Sequence, residues 1–451
     1  MAGRDLDMTQ GSILRHLLSF AVPLAIGLLF QQLYNTVDTL VVGRFVGREA
    51  QAAVGSTGSI INTVVGFCSG LSTGSSVIVS QRYGAHDDMG LSRAVHTALM
   101  LTFLLSIAAT AIGILIIDPM LRFMKTPEDV MPEARSYLTI YFAGVSGVLF
   151  YNMGSSILRA VGDSRRPLVF LIISALLNTA LDLLFVLGFG MKVEGVASAT
   201  ILAQFLSSAL ILFTLSRTHT AYGLRWKQLR IDRESLRGIL KIGLPSAIQS
   251  AITAFSNVFV QSYVNAFGSA CMAGNSIYNK IDAFVKIPQD ALSMSSTTFV
   301  GQNWGAGQPQ RARDGVKTAM RISAVCIVAL GGVVFAFAPT LVSFFSTDPE
   351  VIAYGIRYLR IVTPFYLALM AFSMLSGALR GIGDATAPTV IMLFSFVVFR
   401  QLYLAATKML GFGFVSVALA FPVGWTLCAV LLLIRFRKSP LCRPDALSEA
   451  K

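Results

Sequence analysis

LRAVGDSRRP (158–167) and LRGIGDATAP (379–388) are one loop written twice, 221 residues apart. The match extends outward from there. SQRYGA (80–85) returns as GQNWGA (301–306), and VHTA (95–98) as VKTA (316–319), at the same offset. Thr126 answers Thr347, and Tyr137 answers Tyr358. Near the two starts, Pro23 and Asn35 answer Pro245 and Asn257, 222 residues on. Self-similarity at one fixed period means a chain built from two copies of one unit.

Each copy carries six apolar runs. The first six fall at about 14–36, 53–79, 94–117, 134–157, 168–189 and 193–215. The second six fall at about 239–266, 273–299, 315–338, 352–378, 388–410 and 413–435. Between the sets lies a basic stretch, RTHTAYGLRWKQLRIDRESLRG (217–238). Each run is long enough to cross a bilayer, which takes roughly 20 residues. The expected fold is therefore all-α and integral to the membrane, with twelve spans in two six-helix bundles. Residues 1–216 form one lobe, 217–238 a cytoplasmic linker, and 239–451 the second lobe with its tail. Six is even, so both copies enter from the same side. The repeat is parallel, with its pseudo-twofold along the membrane normal, a plan used by secondary transporters whose site lies between the halves.

Composition agrees. The 451 residues are 54 % apolar and only 13 % charged, against about 25 % charged in a soluble domain. Mean hydropathy is +0.68. A cytosolic enzyme with a membrane tail, a fibrous chain and a disordered chain are excluded. The apolar residues run continuously and do not alternate, which argues against a β-barrel. The net charge of +13 comes from Arg and Lys in short loops, not from one polar face, so nucleic acid is not the expected partner. Arg82, Arg93, Arg159, Arg165, Arg166, Arg311, Arg313, Lys317 and Arg380 gather with the linker and tail on one side. By the positive-inside rule that side is cytoplasmic, with both termini. The first apolar run contains Pro23 and lacks a small-residue cleavage site, so it is expected to stay as the first span. Cys68, Cys271, Cys326, Cys428 and Cys442 form no CxxC pair, so no disulfide framework or zinc site is expected. No Walker A, HExxH or GxSxG motif is present, and GIGD is not GxGxxG, so no catalytic site and no ATP use are expected. The Gly residues of the repeated loops suit tight turns. Their Asp residues can cap the next helix or pair with a neighbouring Arg.

An ionisable residue at membrane depth is costly and is a functional candidate by default. Asp38 lies in QQLYNTVDTLVVG (31–43), one turn after Tyr34. Asp182 lies in LLNTALDLLF (176–185) with Asn178 at i−4 on the same face. Thr200 on the next segment could join them. Two carboxylates, an amide and a hydroxyl suit a small hard cation such as Na+, or a proton relay. The competing reading is that each Asp only caps a broken helix. The repeat bears on this choice: Asp38 answers Val260, and Asn178 and Asp182 answer Phe399 and Tyr403. The loops are duplicated and the acids are not. In the second half, NKIDAFVKIPQD (279–290) sets Asp282 and Lys286 at i and i+4, with Lys280 nearby. These either neutralise one another or line a central cavity. Arg400 is the remaining mid-segment charge, able to balance an acid or to snorkel outward.

These features resemble the MATE (multidrug and toxic compound extrusion) transporters, over nearly the whole chain. The resemblance rests on YNTVDTLVVGRFVG (34–47), QRYGA and QNWGA, LRAVGD and LRGIGD, and the two-lobe plan. It implies a V-shaped pair of bundles in a bacterial inner membrane. It implies export of amphipathic, often cationic organic compounds in exchange for Na+ or H+, with no cofactor, by a monomer. It implies that Asp38, Asn178 and Asp182 form the cation-coupling site, with Tyr34, Asn152 and Thr200 in the same cavity. Tyr34, Asp38, Asp182, Lys280 and Asp282 are then the expected substrate-facing residues. Some members carry further acids on the seventh and tenth helices; none lies at depth in 239–266 or 352–378 here. Two other classes compete. A lipid-linked carrier flippase of a related fold should show several cavity cations, and only Lys280, Lys286 and Arg400 lie deep. A lipid-modifying enzyme needs an acid–base or metal cluster, and none is visible.

Overall fold

The computed structural model describes residues 6–41, 45–46, 48–124 and 126–442; the side chains of 35, 37–41, 48–52, 56, 59 and 255 are outside that description. Asp38 lies on a helix, but its side chain is among these. The described residues form helices joined by turns and loops, with no strand among them.

The chain folds into two compact units. Among the described residues, the first comprises 6 and 26–247, and the second comprises 7–25 and 248–442. The lobes drawn from the repeat, 1–216 and 239–451, run by sequence; the compact units divide inside two helices. Helix α1 (Ile13–Val41) contains Pro23 and passes between units at Ala25–Ile26. Its repeat partner, α8 (Arg233–Asn265), contains Pro245 and passes at Ala247–Ile248. Both crossings come two residues after a proline, whose missing N–H leaves a carbonyl one turn back without its helical partner.

The first unit continues with α2 (Arg48–Gly84), α3 (Asp88–Phe123), α4 (Met131–Ala143), α5 (Val145–Ala160), α6 (Arg165–Leu183) and α7 (Val193–Arg217). A π-helical turn, Leu184–Gly188, extends α6. Helices α4 and α5 form one path broken at Gly144. Helix α3 starts at Asp87, whose Oδ1 accepts the Gly90 N–H at 2.9 Å, a standard cap for an otherwise orphaned donor. Helices α5, α6 and α7 pack together, with α2 and α3 against α5. Their core at one end comprises Val79, Leu91, Val95, Leu99, Ile157, Leu158, Ile211 and Leu215.

The linker is part of that core. Tyr222 and Leu224 are buried in it. His96 Nδ1 lies 2.7 Å from the Ser92 carbonyl, and its Nε2 accepts the Arg225 N–H at 3.0 Å. Thr97 Oγ1 accepts the Asp232 N–H at 3.0 Å. Arg82 joins Asp87 and Glu234. Helix α8 (Arg233–Asn265) follows directly.

The second unit contains α9 (Ser269–Gly305), α10 (Pro309–Ala336), α11 (Ala338–Ser343), α12 (Pro349–Val362) and α13 (Tyr366–Gly381). It ends with α14 (Thr386–Leu393), a π segment Phe394–Phe399, α15 (Arg400–Met409), α16 (Phe414–Ala418) and α17 (Ala420–Arg437). Helix α9 packs on α10, α12 and α13, and α13 on α17. Residues 7–11 are gripped by this unit. Gln302 Oε1 accepts the Met8 N–H at 2.9 Å, and Asn303 Nδ2 donates to the Met8 carbonyl at 3.2 Å. Arg311 donates to the carbonyls of Met8, Gln10 and Gly11.

Among the described residues, ten helices are long and apolar enough to span a bilayer. The α4–α5 path and α9 complete the twelve. The first is interrupted at Gly144, and the second carries polar side chains along its length, from Asn275 and Asp282 to Gln302. Large apolar side chains such as Leu115, Val325 and Val390 stand exposed along the helices, as membrane solvation requires.

The duplicated loops share one geometry. Gly162 and Gly383 take φ of +88° and +92°, a left-handed turn that glycine accepts without strain. The Asp163 N–H then donates to the Leu158 carbonyl at 2.9 Å, and the Asp384 N–H to that of Leu379 at 3.0 Å. His86 and Gly307, also 221 apart, both have positive φ, of +52° and +69°.

Candidate functional site

Helix α6 is inverted in polarity. Its buried residues are Pro167, Ser174, Asn178 and Asp182, while Leu176, Ile173 and Leu183 are exposed. Apart from the proline at its start, the buried face is a polar stripe at i, i+4 and i+8. A helix in lipid turns its apolar face outward and keeps polar groups for the protein interior or a water-filled path.

Helix α7 meets this stripe. The Asn178 Nδ2 donates to Thr200 Oγ1 at 3.4 Å. Ser174 Oγ donates to the Ala203 carbonyl at 2.8 Å, and Ser207 Oγ to Ser174 Oγ at 3.3 Å. The other end of the Asn178 amide, Oδ1, is buried and accepts no hydrogen bond among the described residues. An unmatched buried oxygen costs about 1–3 kcal/mol, and it is an available ligand. Asp182 is fully buried. The π-helical turn begins two residues later, and such turns free backbone groups and recur at functional sites. Hydroxyl, amide and carboxylate oxygens are the donor set that a hard monovalent cation takes. Among the described residues no three His, Cys, Asp or Glu side chains group as a transition-metal site would need.

The structure brings Asn178 and Thr200 into contact and sets Asp182 on the same face as Asn178. Asn152 lies on α5, its Nδ2 donating to the Val148 carbonyl of its own helix at 2.9 Å. Tyr34 lies on α1. Ser174 and Ser207 were not singled out from the sequence; the i, i+4, i+8 series 174, 178, 182 was the signal for the first.

The second unit holds a separate polar cluster. Asp282 is buried, with Oδ1 accepting the Tyr366 O–H at 2.8 Å and Oδ2 paired with Lys286 at 2.5 Å. Lys286 Nζ also stands 5.5 Å from the Trp425 ring centroid, within cation–π range. Tyr366 and Lys286 both lie inside this unit, and the i, i+4 residues Asp282 and Lys286 form an ion pair. Lys280 points elsewhere, over Phe345 at 5.7 Å. Sequence spacing could not supply Tyr366, 84 residues away.

Comparison with known proteins adds the last element. The family described as MatE matches residues 23–184 and again 245–404, two segments whose starts differ by the repeat offset. The chain is similar to the "Probable multidrug resistance protein YpnP" of Bacillus subtilis (strain 168), 29 % identical over 431 residues, covering 95 % of this chain and 96 % of that one. It is 30 % identical over 396 residues to the "Probable multidrug resistance protein YoeA" of the same organism, covering 86 % and 85 %. A solved structure described as the outward-facing conformation of a multidrug resistance MATE family transporter of the MOP superfamily superposes with a TM-score of 0.91 over the full length of both chains, at 24 % identity.

Proposed function

Because the chain belongs to the MatE family, whose members are multi-pass membrane transporters, we propose that it exports amphipathic, often cationic organic molecules in exchange for inward Na+ or H+. The observation that carries this reading is the buried polar face of α6, Ser174–Asn178–Asp182, with an amide oxygen left without a donor. A buried carboxylate on such a stripe, Asp182, is costly at membrane depth and marks a functional site by default.

In this reading Asp182, Asn178 and Thr200 bind the incoming cation, with Asp38 of α1 supplying a second carboxylate and Asn152 and Tyr34 bordering the site. The ion and the organic cargo compete for the same negative charge. Occupation by one favours release of the other, and only differential affinity between the two access states can drive the exchange. The helices that change units after Pro23 and Pro245 are the natural bending points. The protein works as a monomer in the bacterial inner membrane with both termini in the cytoplasm.

The test is efflux of a fluorescent organic cation from proteoliposomes, with Na+ and H+ gradients imposed one at a time. Efflux under one gradient, abolished in Asp38→Asn and in Asp182→Asn, identifies the ion and the residues. Normal efflux in both folded variants removes the acids from coupling. No efflux under either gradient, with flipping of a labelled lipid, moves the function to a lipid carrier.

A further inference from the structure

The two halves agree in their loops and differ inside the helices that follow, beside Asn178. One residue past it is Thr179, and the residue that answers Thr179 in the second repeat is Arg400. Arg400 opens α15 and is 3 % exposed. Its Nη2 donates to Ser256 Oγ at 2.8 Å and to Asn257 Oδ1 at 2.9 Å. Its Cζ stands 5.1 Å from the Phe421 ring centroid. Gln401 ties the same corner, donating to the Ser256 carbonyl and Oγ at 3.2 Å. The Ser256 hydroxyl proton is spent on the Phe396 carbonyl at 2.7 Å, so its oxygen faces Arg400 as an acceptor.

Every one of these partners is neutral. Among the described residues no carboxylate pairs with Arg400. The buried acid of this unit, Asp282, is already held by Lys286 and Tyr366. A guanidinium carries five N–H donors and keeps its proton. Among the described residues two hydrogen bonds use its donors, and Nε is buried without an acceptor. A permanent, buried cation with donors to spare, beside a hydroxyl, an amide and a ring face, is half of an ion pair. Guanidinium is also the side chain best shaped for planar oxyanions.

We propose that the Arg400–Ser256–Asn257–Gln401 cluster is a subsite for the anionic group of a substrate, a carboxylate or a phosphate carried on an aromatic body that packs beside Phe421. The repeat then presents acids in one unit and a cation at the matching place in the other. The cargo range extends beyond organic cations to zwitterions and amphipathic anions. The inference rests on the transport reading only in that solutes must reach the spans.

The test is equilibrium dialysis at pH 7 of the full chain in phosphatidylcholine nanodiscs, with no gradient. The probes are naphthalene-2-carboxylate, 1-naphthyl phosphate and the neutral naphthalene-2-carboxamide. The expected result is at least tenfold tighter binding of one or both anions than of the amide. The better anion names the group. Arg400→Gln removes the preference, and Arg400→Lys keeps part of it. Asn257→Asp places a carboxylate where Oδ1 now lies 2.9 Å from Nη2. It keeps the shape, raises the unfolding temperature and abolishes anion binding, which guards against a variant that merely misfolds. Equal binding of acid and amide by the wild type overturns the proposal, as does a preference that survives both Arg400→Gln and Asn257→Asp. Absence of gradient-driven efflux leaves this readout untouched, so the two readings fail separately.

Discussion

The duplicated loops offer a paired experiment, because Asp163 and Asp384 share a sequence position and a turn but not an environment. Asp163 is 1 % exposed at its side chain and pairs with Arg166 at 3.1 Å, itself 17 % exposed. Its Oδ1 also accepts the N–H groups of Arg165 and Arg166, both at 3.1 Å, at the start of α6. Asp384 is 20 % exposed, its partner Arg435 is 42 % exposed, and it caps one donor, the Ala387 N–H at 3.2 Å. Truncation to Ala removes a helix cap in both, worth about 1 kcal/mol. At Asp163 it also leaves a largely buried guanidinium unpaired, which costs about 3 kcal/mol at the lower end of the range for such losses. At Asp384 the second loss is only that of a solvated pair, about 0.5 kcal/mol. Asp163→Ala should therefore cost about 4 kcal/mol and Asp384→Ala about 1.5 kcal/mol. At about 3 °C per kcal/mol for units of this size, that is a drop of about 12 °C against about 5 °C. Thermal unfolding of the purified protein in detergent, followed by aggregation or intrinsic fluorescence, reads the difference. Asp163→Asn keeps the capping oxygen and loses the charge, so it should fall between wild type and Asp163→Ala. Equal losses at the two positions, or a larger one at Asp384, would refute the claim that burial and not the motif sets the energy.

Three further outcomes follow from the same contacts. Asn178→Leu should lower gradient-driven efflux about tenfold, the worth of one bond to a charged group, while the protein still elutes as a folded species; efflux within twofold of wild type would free Asn178 of that role. His96→Ala removes the acceptor that holds the Arg225 N–H, and should speed amide exchange across 217–232 about fivefold without changing exchange in α9. The Gly90 N–H and then Arg82 hold the Asp87 carboxyl below the usual carboxylate range, and the Ser235 N–H and hydroxyl do the same for Asp232. A depressed folded value means stability that is present above about pH 4 and lost as the pH falls below it. The double variant Asp87→Asn, Asp232→Asn should thus unfold at a lower temperature than wild type at pH 7, with the gap narrowing as the pH falls below about 4; a gap that stays constant with pH would deny those carboxylates an ionic role.

Much of the fold was legible because membranes impose long apolar runs and because duplication prints the same turn twice. LRAVGD and LRGIGD could be read as loops from Gly and Asp alone, and the left-handed φ at Gly162 and Gly383 is the physical content of that reading. The stripe 174–178–182 was half legible, through the Asn178 and Asp182 spacing. What sequence could not give are partners far along the chain. His96 meets Arg225, 129 residues on, through a backbone N–H that leaves no trace in side-chain identity. The linker therefore read as a basic tether, although Tyr222 and Leu224 are buried core. Arg400 stood between two readings for the same reason: Ser256 and Asn257 are ordinary residues until the fold sets them beside a guanidinium.

The crossing helices tie these observations together. If the repeat were two independent bundles, each unit would begin with its own first helix whole. Instead residues 7–25 belong with 248–442, and 233–247 belong with the first unit. Each unit grips the stretch that leads into a crossing helix, and the grips are built from different chemistry. Gln302, Asn303 and Arg311 hold residues 8–11 by backbone carbonyls and one N–H. His96, Thr97 and Arg82 hold the linker by two N–H groups and an ion pair. Gln302 answers Gln81, but Arg311 answers Gly90 and His96 answers Lys317. Duplication therefore kept the turns and the task of holding an incoming strand, and let the holding residues diverge. The mid-segment positions diverged further: Asn178 and Asp182 answer Phe399 and Tyr403, and Thr179 answers Arg400, which pairs with no carboxylate among the described residues. For the exchange proposed above, what counts is each solute's difference in affinity between the two access states, and unlike residues at matching places let the two units differ in what they bind.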